Sequence, residues 1–324
     1  MQSEEDKMII DFHAHLYNRN WLPEKFWNGM VNRAVSVRRR NGEIVSPERI
    51  EKIIFTRFED PTGEVLVREM DECGIHVTQI MPLDLGLEWG EPPVSIEEKN
   101  QTIAQIAQNH APKIRAYFGI DPKRPNGLSL FEKGIKEWGM RGLKLDPASG
   151  FYPNERFVYP FYEKAMELGV PVLFHTGATI PPFRNKFCDP IYLDDVTLDF
   201  PELTIIAAHV GFGWWQALSF MMSRKTNLMA DISGWQSIAR DYPLFCRYLR
   251  DMISIAGSEN FLFATDGPSF RLYSMGNKEW AKMIRNLPEN APSGIKFSPD
   301  EIDNLLYKNA MRVMQIEDPK GFGK

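Results

Sequence analysis

The sequence predicts an α/β fold, a (β/α)8 barrel, and three observations carry that expectation. Eight short, apolar, β-rich runs recur with helix-like segments between them, the alternation that builds a parallel sheet with helices outside it. The runs are apolar throughout rather than alternating with polar residues, as strands covered on both faces are. No internal repeat, low-complexity tract or break in composition divides the 324 residues, and barrels of this type run to about 250 residues and more as one unit. One domain over 1–324 is therefore expected. A doubly wound sheet is the rival architecture.

Taken in order, the predicted strands are "MIIDFHAHL" (8–16), "VTQIMPL" (77–83), "IRAYFGIDP" (114–122) and "RGLKLDP" (141–147). "VPVLFHTG" (170–177), "LTIIAAHVG" (203–211), "NLMADISG" (227–234) and "NFLFATDGP" (260–268) follow. The helices carry start and stop signals. "SIEE" (95–98) has the form of a capping box before "NQTIAQIAQ". "PFYEKAMELG" (160–169) ends on Gly169, a natural C-terminal cap. In 298–316, Ser298 is placed to cap, Pro299 sits in the first turn and Glu301 completes a box. Ile302, Leu305, Leu306, Val313 and Ile316 form its apolar stripe. The longest connection joins the first two strands, and its stretch 18–60 is too polar and punctuated to be core throughout. Placed after strand 1, it is an insertion on the C-terminal face, where barrel active sites sit.

The composition, 43% hydrophobic and 25% charged, is that of an ordinary globular protein. A net charge of −5 argues against nucleic acid as a general partner, and the basic run "VRRRNGE" (37–43) reads as a solvated loop. No apolar run approaches the ~20 residues that a membrane helix needs. The acidic, polar start "MQSEEDK" lacks the form of a signal peptide. Cys73, Cys188 and Cys246 show no CxxC spacing and give no disulfide framework, so a cytoplasmic location is expected.

Ligand-capable side chains collect at the C-terminal ends of the strands. His13 and His15 close the first, Lys144 and Asp146 the fourth, His175 the fifth, His209 the sixth and Asp266 the eighth. Residues two apart on a strand face the same way, so His13 and His15 can both grip one ion. Imidazole suits zinc and other transition metals, and a carboxylate is an acceptable further ligand. A barrel brings His175 and Asp266 to the same mouth. A single histidine ending a strand is more often a satisfied core residue. Four histidines and an aspartate, each closing an apolar strand, are hard to obtain by chance.

These residues and their order resemble the amidohydrolase-related branch of the amidohydrolase superfamily, which holds aminocarboxymuconate-semialdehyde decarboxylase, resorcylate-type decarboxylases and several lactone hydrolases. "DFHAH" resembles the strand 1 signature, and "LVREMDECGIHVTQIMP" the segment leading into strand 2. "RGLKLDP", "PVLFHTG", "DFPELTIIAAHVG", "NLMADISG" and "FLFATDGP" follow in family order, and "LYKNAMRVMQI" resembles the terminal helix with its Asn309-Ala310 pair. The likeness runs from about Met8 to Ile316. It implies a distorted (β/α)8 barrel holding one divalent ion, zinc or alternatively manganese, on His13, His15, His175 and Asp266, with His209 as the catalytic histidine. Both strand 1 histidines are kept where some decarboxylases of the branch carry Glu at the first. Dimerisation is implied by the resemblance alone.

An ion with an open position lowers the pKa of bound water to roughly 7. Asp266 can take that proton and His209 can polarise a carbonyl or shuttle a proton. Hydrolysis of a small amide, ester or lactone is the first expectation. Decarboxylation of a small aromatic or unsaturated acid on the same site is the second. A non-catalytic binding protein is a remote third, against which the complete ligand set argues. Lys144 becomes a ligand only if two metals bind; otherwise it is a structural charge beside Asp146. Arg184 and Lys186 after strand 5, and Arg271 after strand 8, are candidates for a substrate carboxylate, since arginine pairs with one in two-point fashion. Tyr17, Trp214 and Trp235 are candidates to face a ring, with packing the alternative for the tryptophans. The expected partner is thus a small, acidic molecule.

Overall fold

The computed structural model describes residues 7–272 and 274–316. All eight predicted strands form, in nine parallel segments: β1 (Ile10–Ala14), β2 (Val77–Ile80), β3 (Ile114–Ala116), β4 (Phe118–Gly119), β5 (Leu143–Leu145), β6 (Val172–Phe174), β7 (Ile205–Ala207), β8 (Leu228–Asp231) and β9 (Phe261–Leu262). β3 and β4 are one barrel strand interrupted at Tyr117, whose N–H donates to the Ile80 carbonyl at 2.9 Å. The strands pair in chain order. The ring closes through Phe12 N–H to the Phe263 carbonyl (3.0 Å) and Asp266 N–H to the His13 carbonyl (2.8 Å).

Strand periodicity sorts the side chains. Phe12, Tyr117, Leu173, Ile206, Met229 and Leu262 cluster inside the barrel. Their neighbours Val172, Phe174, Ile205, Ala207, Leu228 and Ala230 pack outward under the helices. By the same parity Lys144, Asp146, His175 and Asp231 point inward, above the apolar interior. In β1 the register slips between Asp11 and Ala14, which leaves Ile10 and Phe12 inside below the slip and His13 and His15 inside above it. Such irregularities re-aim side chains beside active sites.

The helices follow their signals. Ser95 caps Ile96–Asn109 by accepting from Glu98 N–H, and Gly169 takes φ 65° just past Tyr159–Glu167. The Ser298–Glu301 capping box is complete. The terminal helix has a π turn at Asn304–Lys308, and the Leu305 carbonyl there accepts from Phe263 N–H at 2.8 Å. Asn309 fastens this helix to the barrel by donating to the Ser258 and Phe261 carbonyls, both at 2.8 Å. Asn309→Ala should cost about 2–3 kcal/mol, because it strands two buried acceptors, and an unchanged denaturant midpoint would contradict this anchor.

The insertion after β1 folds as two helices, α1 (Glu24–Arg40) and α2 (Pro47–Arg57), with Ser46 capping the second. Phe26, Trp27, Met30, Val31, Ala34, Ile50 and Ile54 close on each other in a cluster separate from those of the barrel. So the basic run at 37–43 is not a loop over its first part: Val37–Arg40 end α1, where cations favour the negative helix terminus. The insertion lies over the barrel mouth. Buried Lys99 donates to the Trp21 carbonyl (2.7 Å) and to that of Leu83, tying it to the loop after β2. Gly29 is required where α1 crosses the loop after β6, since a Cβ there would stand 2.3 Å from the Pro181 carbonyl oxygen. Among the described residues no helix is long and apolar enough to cross a membrane.

Candidate metal centre and active site

His13, His15 and Asp266 converge, with one ligand atom from each within 4.8 Å of the others. His15 Nε2 lies 3.2 Å, and His13 Nε2 3.8 Å, from Asp266 Oδ1. The two Nε2 atoms are 3.1 Å apart. Their tautomers follow by elimination. His15 Nδ1 faces the Met81 carbonyl at 2.7 Å, so Nδ1 carries the proton. His13 Nδ1 faces Asp231 Oδ2 at 2.9 Å and donates likewise. Both rings therefore turn bare Nε2 lone pairs on one another and on a carboxylate, an arrangement that repels until a cation sits among them.

Asp231 also fixes the second pair of histidines. Its Oδ1 accepts from the Ser233 hydroxyl, so Ser233 Oγ must accept from His209 Nδ1–H at 2.8 Å. His209 Nε2 is then an acceptor, and faces His175 Nδ1 at 3.3 Å. With that proton placed on Nδ1, His175 Nε2 is a bare nitrogen, buried and without a hydrogen-bond partner among the described residues. Three imidazoles with free nitrogens and one carboxylate make a donor set that fits zinc or manganese. His175 stands beside the three-residue cluster rather than within it.

Burial keeps His13, His175 and His209 neutral, as ligands must be. It holds His175 down to about 3, with Lys144 adding to the effect, and His209 down to about 4, with His175 adding. Burial also pushes His13 well below its ordinary value. For Asp266 burial acts upward, and the facing histidines, His15 first, act downward and win, which favours the carboxylate form that an ion needs. The sign for stability is set by the histidines. Unfolded, they bind protons near pH 6.5; folded, they resist down to about pH 3–4. The unfolded state thus gains protons first, and the metal-free protein loses stability as pH falls from about 6.5, each ring contributing up to about 1.4 kcal/mol per pH unit. Asp11, pushed up to about 7 by burial, opposes one of them. Urea midpoints measured from pH 7 to pH 4 should fall steadily, and a flat profile would contradict the buried neutral rings.

Backbone strain marks the same place. His209 (φ 60°), Val210 (φ 46°) and Asp266 (φ 48°) take the left-handed conformation that non-glycine residues avoid, at a cost of about 1–3 kcal/mol each. The turn at His209 ends β7 early and swings that ring out of strand parity into the site. Trp235 secures it, its Nε1–H donating to the His209 carbonyl at 2.8 Å.

A cavity of about 110 Å³ opens above these groups. His15, Lys144, Asp146, His175, His209 and Asp266 form its floor, and Phe26, Met30, Leu83, Ile180, Phe183 and Phe212 its walls. Tyr17 lines it, with its hydroxyl 2.5 Å from Ser269 Oγ. The other expected substrate contacts stand elsewhere. Arg271 pairs with Glu69 at 2.7 Å and lies over the Phe58 ring. Arg184 and Lys186 are exposed outside the cavity wall, and Trp214 is only partly buried beside it. Trp235 is buried in packing. Arg33, on α1, lines the cavity instead. Only its place within the insertion pointed to it. A larger groove of about 800 Å³ lies at the opposite end of the barrel, near Arg224 and Arg312, and contains none of the candidate residues.

Comparison with known proteins agrees with this architecture. A curated relative, 2-keto-4-carboxy-3-hexenedioate hydratase of Sphingobium sp. (strain NBRC 103272 / SYK-6), is 31% identical in an alignment 104 residues long that covers 26% of this chain. The match spans only 30% of that protein's length. An uncharacterised TIM-barrel protein of Bordetella bronchiseptica superposes with a TM-score of 0.70 at 22% identity, over 95% of this chain and 98% of its own. The 5-carboxyvanillate decarboxylase of Novosphingobium aromaticivorans, solved with manganese and 4-hydroxy-3-methoxy-5-nitrobenzoic acid, superposes with a TM-score of 0.66 at 15% identity, over 98% of each chain. The sequence profile of the amidohydrolase family matches residues 10–316, nearly the whole length, and the chain belongs to that family.

Proposed function

We propose that the chain is a metal-dependent enzyme that removes carbon dioxide from a small aromatic or unsaturated carboxylic acid. The cavity carries this reading. At about 110 Å³ it is somewhat smaller than the cavity of about 150 Å³ that takes benzene, so it admits a short unsaturated chain, or a ring that projects from its open mouth. Most of its walls are apolar, with Tyr17, Ser269 and Arg33 among the polar groups above the floor, which suits loss of a charged carboxylate in a poorly hydrated site. The manganese-bound decarboxylase relative points the same way.

His13, His15, His175 and Asp266 would hold the ion, zinc or manganese, which when bound supplies Lewis-acid polarisation of a substrate oxygen. With Asp266 Oδ1 turned to the histidines, Oδ2 is the oxygen left for the substrate. When the bond to the carboxylate breaks, its electron pair stays on the carbon, and a proton taken from water or from a substrate hydroxyl and passed through Asp266 Oδ2 completes that carbon. His209 is neutral near pH 7 and can accept a substrate proton at Nε2 once that nitrogen parts from the His175 Nδ1–H it accepts from. Tyr17 and Phe212 bound the space for the ring.

Addition of water is the second reading, favoured by the hydratase relative. Hydrolysis, first on sequence, comes after these two because the cavity is small and largely apolar. The test incubates zinc- or manganese-loaded protein with hydroxybenzoates, unsaturated dicarboxylic acids, lactones and esters. Release of carbon dioxide, lost in Asp266→Asn, is the expected result. Turnover of a lactone or ester alone would overturn it in favour of hydrolysis.

A further inference from the structure

With His13, His15, His175 and Asp266 assigned to the ion and His209 held by Ser233, Lys144 is a buried charge of the cavity floor that has no task. Lys144 is the middle residue of β5 and faces the barrel interior, 2% exposed. Its Nζ has no hydrogen-bond partner among the described residues. Asp146, two residues on, gives Oδ1 to Ala148 N–H at 3.1 Å rather than to this ammonium. An ammonium withdrawn from water without a partner is costly, and Met would fill the same space without that cost. Burial presses the ammonium toward its neutral form, while Asp146, Asp231 and Asp266 resist. The missing partner is therefore an anion that enters from outside, through the cavity that Lys144 lines.

We propose that Lys144 anchors an anionic group of the substrate, its ammonium donating to a carboxylate or phenolate oxygen of a small acid seated in the cavity. This rests on the cavity being the substrate site of a metal enzyme, and it narrows the substrate. A carboxylate gripped by an ammonium is stabilised against leaving. The anchored group is thus a second one, and the substrate carries an acidic group besides the carboxylate it loses. Arg33, lining the same cavity from α1, places a second cation at the roof.

The probes are fumarate and fumaramate, alike in shape and different by one charge, titrated into metal-loaded wild type, Lys144→Met and Lys144→Gln. Wild type should prefer fumarate by roughly ten-fold or more, the scale of a hydrogen bond to a charged group. Lys144→Met should lose that preference, keep its ion and melt no lower than wild type, because an unpaired buried charge has been removed. Lys144→Gln, which keeps a donor without the charge, serves if Met disturbs packing, and should also lose the preference. A preference kept in both variants, or a lower melting temperature with wild-type binding, would make Lys144 structural and overturn the proposal. So would a carbamate carbon on Lys144 after equilibration with labelled bicarbonate, together with a second ion per chain. Wild type that binds neither zinc nor manganese would instead overturn the metal-enzyme reading beneath it.

Discussion

A His13→Ala, His15→Ala double variant should lose its divalent ion. Purified without chelator, wild type should hold about one ion per chain and the variant close to none. Turnover of any confirmed substrate should fall roughly 10²–10⁴-fold, since a bound ion contributes several kcal/mol at about 1.4 kcal/mol per tenfold. Stability is the second readout. An ion at a thousand times its dissociation constant stabilises the folded state by about 4 kcal/mol, so a chelator should lower the wild-type melting temperature and leave the variant unmoved. Part of the loss is offset in the variant, because the two Nε2 lone pairs at 3.1 Å no longer oppose each other. Elemental analysis decides the matter, and equal metal in both proteins would remove His13 and His15 from the site.

Asp231→Asn should have the next largest effect, although Asp231 touches neither the cavity nor the ion's expected position. Its carboxylate accepts from His13 Nδ1–H at 2.9 Å, His209 N–H at 3.1 Å, Ser233 N–H at 3.0 Å and the Ser233 hydroxyl. An amide keeps one acceptor oxygen and sets an NH2 against donors on the other side. Either His13 turns its lone pair away from the site, or Ser233 releases its hold on His209. Partners of this kind typically set metal affinity by 10–100-fold. The variant should weaken zinc binding on that scale in a chelator competition. It should also shift the imidazole nitrogen resonances of His209, whose ring Nδ1 is joined to Asp231 through the Ser233 hydroxyl. Unaltered affinity and unaltered resonances would mean that the tautomers are set by something else.

Much of the frame was legible in the sequence because barrel strands announce themselves by unbroken apolar runs, and all eight lie where those runs are. Their C-terminal bounds were less legible. Strand character ends before His209 and Asp266, where positive φ turns the chain, and no hydrophobic pattern encodes that turn. The histidines stood out because an imidazole closing an apolar strand is unusual. Asp231 did not, since in "NLMADISG" it reads as one polar residue ending a strand, and its role exists only because ring closure sets β8 next but one to β1, past β9. Loop cations were the hardest to place. Arg271 follows the right strand, yet Glu69, on the helix Glu64–Cys73, captures it. Arg33 lay in a stretch whose helical character says nothing of where the helix docks.

The roof's separate packing bears on how such a protein changes over generations. α1 and α2 pack through Phe26, Trp27, Met30, Ile50 and Ile54 in a cluster that meets the barrel only at loop residues such as Leu85, Ile180 and Leu272, and substitutions distant from one another act on stability nearly independently. A duplicated gene can therefore accumulate changes in 18–60 while the eight strand ends stay under unrelaxed selection. The two parts would keep different evolutionary clocks, a fast one for the diet of the enzyme and a slow one for its chemistry. Descendants of one ancestor would then share an ion-holding hearth beneath ceilings that no longer resemble one another.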